Sequence, residues 1–542
     1  MHPRSPTSLL LPALVSAWIL AACTGAERQT EPPRGLAPHP AALTTGERAL
    51  VRLSATELAR RIARREVSSV EVTRAFIAQI EHTDPAYGAI VLLDGANALR
   101  RAGEADAALA RGEVWGPLHG VPVTVKDSYS TRGLRTTSGD PALAGHVPTE
   151  DASAVALLRG AGAIVLAKTN LAQLAMDMQT TNPLFGTTRN PWDPGRTVGG
   201  SSGGCATAVA THMSPLSFGS DLAGSIRVPA SFTGVYGLKP TRGVVSMRGH
   251  IPPRPGELDG IRTMAVLGPL ARTVEDLRLG LQVLNAAAPG DVPPAPLRAS
   301  TGVPASVAGL RIAYVESIGG VPVSRDVAEV LDRAVTTLRA AGATVTRAAP
   351  AGFSPERTWE TWGALVGMQG GYDRSNFARW MGGLFAGGAV ADIPHQRRIL
   401  EPISVPAYME ALTVQTEQAA ALERFLGDYD AWLVPATPTA AFPHHAPTTS
   451  YGDFHVYDTP IAIDGTPVPY YVATQAYTAL FSVTESPVVT MPAGLTRGRL
   501  PVGLQLVGRR YDDLHLLDVA ALMEPLFPAA EPPSGAGDLS LP

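Results

Sequence analysis

Apolar residues change their spacing several times along the chain, and each change marks an element. Ser54-x-x-Glu57 precedes Leu58, and Ser68-x-x-Glu71 precedes Val72, Phe76 and Ile80 at four-residue spacing. A serine followed three residues later by glutamate lets the two side chains satisfy each other's backbone N–H groups, so both segments predict capped amphipathic helices. From Val121 the period falls to two, through Val123 and Val125, which predicts a short strand delivering Lys126 and Asp127 at its end. Residues 153–162 read as a helix and Ala163 to Ala167 as a buried strand ending at Lys168. Alternating helix and apolar strand predicts α/β layering. A proline-rich break at 287–305 separates this half from a second, which opens with a strand from Leu310 to Val315 and a helix around Val327 to Ala341. Near the end, Pro487 to Met491 and Val502 to Val507 predict strands joined by a short loop, so a mixed sheet is expected.

Ahead of these elements the pattern differs. Leu9 to Leu20 is an apolar run broken only by Pro12 and Ser16. It is too short to span a bilayer and suits the apolar region of a signal peptide over residues 1–22. It ends in Leu20-Ala21-Ala22-Cys23, which resembles the bacterial lipobox. The resemblance implies that Cys23 is a lipid anchor and that residues 23–46, with Pro32, Pro33, Gly35, Pro38 and Pro40, are an extended tether. The expected product is an exported, membrane-anchored lipoprotein facing the periplasm or cell exterior, touching the membrane through its lipid alone. A single domain is expected over 47–530, with a frayed tail over 531–542.

Composition narrows the class. A chain of 542 residues suits three or four domains or one large α/β enzyme. Gly 54 and Pro 48 fall short of the roughly 25–30% that marks low-complexity disorder. Lys+Arg 44 against Asp+Glu 48, with no long basic run, leaves no electrostatic footprint for nucleic acid. Two cysteines, Cys23 and Cys205, exclude a disulfide scaffold. Of the 44 basic residues only Lys126, Lys168 and Lys239 are lysine. Lysine loses its proton when buried, whereas a guanidinium effectively does not, so each of the three is a candidate for amine chemistry.

Gly199-Gly200-Ser201-Ser202-Gly203-Gly204 is the most unusual segment. Apolar segments on both sides argue against a flexible linker, and no Gly-Lys-Ser/Thr follows to cradle phosphate. The span Gly200 to Gly204 fits G-x-S-x-G, which would make Ser202 the nucleophile of an α/β-hydrolase-type esterase. However, Trp192-Asp193-Pro194-Gly195-Arg196 before it is no strand, so the strand-to-helix elbow lacks its first half. Ser225 lies in a second small-residue turn, Gly219 to Arg227, whose backbone N–H groups can converge. Serine needs a base to become nucleophilic. His212 sits among apolar residues, which leaves Lys126 as the available base. His444, His445 and His455 lack a carboxylate or cysteine at ligand spacing, so no metal is expected, and no cofactor either.

Read together, six ordered segments resemble the amidase signature family. They are Gly116 to Asp127, Ala167-Lys168-Thr169-Asn170, Gly199 to Gly204, Asp221 to Pro229, Gly237 to Thr241 and Gly268 to Arg272. With Pro501 to Gln505 the likeness spans roughly residues 50–525, and all three lysines fall inside the motifs. The resemblance implies a central twisted mixed β-sheet covered by helices on both faces. It implies a catalytic core over about 110–285 and a variable substrate-pocket region over about 310–480. It also implies Ser225 as nucleophile, Ser201 after a cis peptide as bridging serine, and Lys126 as base. The backbone N–H groups of Leu222, Ala223, Gly224 and Ser225 would hold the oxyanion, with Ser202 and Ala175 bordering the substrate. Ala223 stands where the family has glycine; if that position requires positive φ, the strain is about 1 kcal/mol. Asp221 and Arg227 are expected to brace this loop, and Lys168 and Lys239 to be structural.

The implied reaction is hydrolysis of an amide bond in a small molecule. Of the 32 aromatic residues, seven crowd into 353–385 and eight into 442–481. These stretches read equally as a pocket for a hydrophobic or aromatic group or as ordinary packing. Two alternatives to a hydrolase remain, a non-catalytic binding lipoprotein on the same scaffold and an amidotransferase subunit, and the expected export argues against the latter.

Overall fold

A computed structural model of the chain describes residues 43–372, 375–376, 379, 398–399, 401–451 and 454–533. The expected signal peptide, Cys23, the tether up to residue 42 and the tail from 534 lie outside the described residues. The tether was expected to reach residue 46, and this is corrected: Leu43 is buried and Thr44 caps helix α1 (Thr45–Val51). The Thr44 hydroxyl accepts the Glu47 N–H, and the Glu47 carboxylate accepts the Thr44 N–H at 2.8 Å. The two expected helices follow. In α2 (Ala55–Ala63) Ser54 accepts the Glu57 N–H, but the Glu57 carboxylate turns to Arg61 instead of closing the box. In α3 (Ser69–Tyr87) the box at Ser68 and Glu71 is complete.

Eleven strands form one mixed sheet flanked by helices. In chain order they are β1 (Ile90–Leu93), β2 (Pro122–Lys126), β3 (Ile164–Thr169), β4 (Leu216–Asp221), β5 (Tyr236–Lys239), β6 (Val266–Ala271), β7 (Arg311–Tyr314), β8 (Thr344–Arg347), β9 (Ala431–Pro435), β10 (Val488–Leu495) and β11 (Pro501–Val507). Their order across the sheet is β1-β3-β2-β4-β6-β5-β10-β11-β9-β7-β8. The proline-rich break at 287–305 does not divide the sheet. Strand β5 pairs with β10, Lys239 opposite Val488 and Gly237 opposite Thr490, so strands from the two halves share one ladder.

This order positions the site. Strands β3, β2 and β4 run parallel, Val125 lying opposite Lys168 on one side and Phe218 on the other. Their carboxyl ends therefore emerge at one end of the sheet, where open α/β sheets place ligands. Strand β2 is buried at every residue, so the alternation that marked it in the sequence does not separate a buried face from an exposed one: Thr124 and Lys126 are enclosed with the valines. Helix α4 (Gly203–Ala210) starts immediately after the two serines and consists wholly of buried small residues. Helix α5 (Arg227–Thr233) follows the Ser225 turn, and helix α6 (Tyr470–Val483), buried at every residue but Val472, packs over that turn from the second half.

Candidate active site

Lys126 is the last residue of β2 and is completely buried. Its Nζ lies 2.6 Å from Ser201 Oγ and 2.9 Å from Ser220 Oγ. Burial disfavours the ammonium form and lowers the group from its ordinary value to about 7; Cys205 and Asp221 pull weakly the other way. The sequence therefore places a primary amine at the end of an apolar strand, with a pKa near neutrality and two hydroxyls in reach. Accessibility is graded outward from it. Ser201 is 0% exposed, Ser220 5% and Ser225 6%.

Ser201 follows a cis peptide from Gly200, as the family resemblance implies. Its carbonyl accepts the Ala172 N–H at 3.2 Å. The Ser202 N–H donates to the Ser225 carbonyl at 3.1 Å, which ties the two serine segments together. No hydrogen bond joins the Ser201 and Ser225 hydroxyls among the described residues. The expected relay of three side chains is thus closed at Lys126–Ser201 and open at Ser201–Ser225. Catalytic hydrogen bonds are often loose without substrate and tighten when it binds.

The turn after β4 is organised by a buried ion pair. The Asp221 carboxylate accepts from Arg227 Nη2 at 2.8 Å and Nε at 2.9 Å, both side chains being 0% exposed. Burial alone would raise the Asp221 carboxyl, but the Arg227 guanidinium overrides it and holds it at about 2. The guanidinium also donates to the Thr478 carbonyl, Gln505 Oε1 and Ser482 Oγ. Asp221 further accepts the N–H groups of Gly224 (2.8 Å) and Ile226 (3.1 Å). This corrects one expectation: the Gly224 N–H is spent inside the turn and is not offered to an oxyanion. Among the described residues, the N–H groups of Leu222, Ala223 and Ser225 have no protein acceptor. The positive φ falls on Gly224, at 118°, and not on Ala223, so the alanine carries no backbone strain.

The other expected residues find structural partners. Ser202 precedes α4, is fully buried, and donates to the Ser220 carbonyl at 3.2 Å. No strand precedes it and no histidine bonds to it among the described residues, so the esterase elbow is not formed. Ala175 lies in the loop that begins at Ala172 against Ser201; it and Leu174 adopt left-handed φ of 57° and 49°. Lys168 donates to the Tyr129 carbonyl, Thr131 and Thr136 and lies 3.5 Å from Asp127. Lys239 donates to the Ser486 carbonyl. His445 packs against Phe442 and Tyr470, and His455 Nδ1 lies 2.7 Å from Ser450 Oγ.

The aromatic stretches divide. Trp362 packs in an apolar cluster with Leu222 and Ala223 of the turn, whereas Phe377, Trp380 and Phe385 lie outside the described residues. Phe442, Tyr457, Tyr470 and Tyr471 cluster with Met178 and Val228. Sequence reading missed Ser220, Thr478 and Asp177. Ser220 alone had a signal, since it lies in the small-residue turn Gly219 to Arg227 that also carries Ser225. Thr478 Oγ1 donates to the Ala223 carbonyl from 255 residues away, and no local pattern carries such a contact.

The sequence profile of the Amidase family matches residues 71–517. The chain is 33% identical over 494 residues to a Glutamyl-tRNA(Gln) amidotransferase subunit of Carboxydothermus hydrogenoformans, covering 87% of this chain and 96% of that protein. It is 33% identical over 484 residues to Acylamidase of Rhodococcus erythropolis, covering 88% and 96%. The solved structure of fatty acid amide hydrolase superposes with a TM-score of 0.74 at 24% identity, covering 89% of this chain and 87% of that one, a likeness of fold.

Proposed function

Because this chain belongs to the Amidase family and is an amide hydrolase, we propose that Ser225 is its nucleophile, Ser201 its proton relay and Lys126 its base. The observation that carries the reading is Lys126 itself, fully buried, with a pKa of about 7 and its Nζ 2.6 Å from Ser201 Oγ. An ordinary lysine, with a pKa of about 10.4, is protonated at neutral pH and accepts nothing. A neutral one takes the Ser201 proton while Ser201 takes the Ser225 proton. Ser225 Oγ then bonds to the amide carbonyl carbon, and the carbonyl oxygen becomes an oxyanion. The free N–H groups of Leu222, Ala223 and Ser225 receive it; removing one such donor typically costs about 10²–10³ in rate. Collapse breaks the C–N bond, and the amine leaves with the proton returned from Lys126 through Ser201. Water attacks the acyl-enzyme with its proton routed the same way, and a carboxylic acid is released.

The proposed substrate is a small amide with a hydrophobic or aromatic group. Supporting this are the apolar wall of Trp362, Leu222, Ala223 and Met264 beside the turn and the likeness to an acylamidase. Purified protein is assayed on a panel of aryl amides beside Ser225→Ala. The wild type is expected to turn over at least one member, and the variant to lose about 10³-fold or more. Equal turnover by Ser225→Ala overturns the assignment. Turnover of aryl amides by the isolated chain also separates this reading from that of an amidotransferase component, the role named for one similar protein.

A further inference from the structure

The segment from Ala172 to Thr180 grips the serine loop at several points. The Ala172 N–H donates to the Ser201 carbonyl, and Thr180 Oγ1 donates to the Gly199 carbonyl at 2.9 Å while accepting the Gly203 N–H at 2.9 Å. Between these bonds the backbone of Asp177 to Gln179 lies directly on Gly200. A Cβ placed on Gly200 would fall 2.7 Å from the Asp177 carbonyl oxygen and 2.7 Å from the Gln179 nitrogen. The segment does not hold this course by itself, because Leu174 and Ala175 both adopt left-handed φ, which is costly for residues with a Cβ.

What holds it comes from the far end of the chain. The Asp177 carboxylate is buried, with Asp177 only 6% exposed, and accepts the Met178 N–H at 2.6 Å, the Tyr470 hydroxyl at 2.9 Å and the Tyr457 hydroxyl. The two tyrosine rings stack with centroids 3.9 Å apart. Gln179 completes the attachment through a reciprocal pair with His445, Nε2 to its carbonyl and Oε1 from its N–H, each at 2.9 Å. Part of the second aromatic stretch is thus joined to the serine loop through one carboxylate.

We propose that Asp177, clamped between Tyr457 and Tyr470, is a positioning residue that holds the Gly199–Ser201 loop, and hence Ser201, against Lys126. The inference rests on the reading of Ser201 as proton relay. A relay is sensitive to small displacements, and a misplacement of about 1 Å can cost about 10²-fold in rate. Asp177 itself touches neither Lys126 nor Ser225 in the described contacts, so its effect passes through backbone position.

The test compares Asp177→Leu, Asp177→Asn, Tyr457→Phe with Tyr470→Phe, and the combination of Asp177→Leu with both tyrosine changes. A fluorophosphonate probe counts reactive Ser225 in each preparation, so kcat is expressed per competent site. Asp177→Leu is expected to lower kcat by about 10- to 100-fold while KM stays near that of the wild type. Asp177→Asn, which retains polar bonds to both hydroxyls with one reversed, recovers most of the rate. The combined variant should be no worse than Asp177→Leu alone, as expected for one connected unit. A wild-type kcat per site in Asp177→Leu, or a raised KM with unchanged kcat, overturns the proposal. Should Asp177→Leu not fold, the two phenylalanine variants, which keep the rings, decide by the same criterion. Failure of the probe to discriminate wild type from Ser225→Ala would instead count against the nucleophile assignment.

Discussion

Gly224 has the positive φ in the turn that carries Ser225, and a Cβ there would fall 2.5 Å from Thr478 Oγ1. Ala223 beside it has its carbonyl held by that same threonine and an ordinary backbone. The two positions therefore respond unequally to exchange of alanine and glycine. Gly224→Ala is expected to lose more than about 1 kcal/mol in denaturant unfolding, and most of its turnover, because both strain and contact oppose it. Ala223→Gly should change stability by less than about 1 kcal/mol and leave turnover near wild type. At this scale much was legible. Three lysines among 44 basic residues narrowed the amine to three candidates, and the small-residue turns marked two serine segments, while the roles of Ser201 and Ser225 came with the family resemblance. The commitment of the Gly224 N–H to Asp221 was not legible, since four consecutive amides look equivalent until the carboxylate is placed.

At the scale of elements, the turn stands on the pair Asp221–Arg227, which joins the end of β4 to the start of α5 and reaches α6 and β11 through Thr478, Ser482 and Gln505. Removing one member of a buried pair leaves an uncompensated charge and costs about 3–5 kcal/mol. Arg227→Leu is therefore expected to lower the thermal midpoint far more than a surface Arg→Leu. The sign with pH follows from the folded pKa of Asp221, about 2, against about 3.9 in an unfolded chain. Between these values the unfolded state binds more protons, so this contribution is present above about pH 4 and is lost as pH falls towards 2. A variant with the wild-type midpoint and the wild-type acid response would contradict this. The strands β2, β3, β7, β10 and β11 and the helices after Ser54 and Ser68 were readable because period and capping are local signals. The start of the domain was misread because prolines up to residue 40 masked the capping box at Thr44.

At the scale of the molecule, the resemblance implied one central sheet, but the strand pairs that carry it across the break at 287–305 were not legible. Pairing of Val488 with Lys239 joins residues nearly 250 positions apart, and nothing in either strand's pattern names its partner. The same holds for the contacts of Asp177 with Tyr457 and Tyr470 and of Thr478 with Ala223. Composition marked those aromatics as a group without saying whether they faced a substrate or a loop. The family resemblance supplied the motif order, and the sheet explains it. Strands β2 and β4 run parallel, so the amine and the Ser225 turn emerge together, while α6 closes the turn from the second half.

The central claim is that a buried, uncharged Lys126 drives the acylation of Ser225. The direct measurement is the rate of Ser225 acylation by an aryl amide across pH in wild type and Lys126→Arg. The amine accepts a proton only when deprotonated, so the wild-type rate should climb as pH rises through about 7 and then level. Lys126→Arg, which stays charged, should show no acylation at any pH in the fraction that a cooperative thermal transition shows to be folded. A wild-type rate that is flat from about pH 5 to about 9, or an arginine variant that acylates at the wild-type rate, would contradict the account.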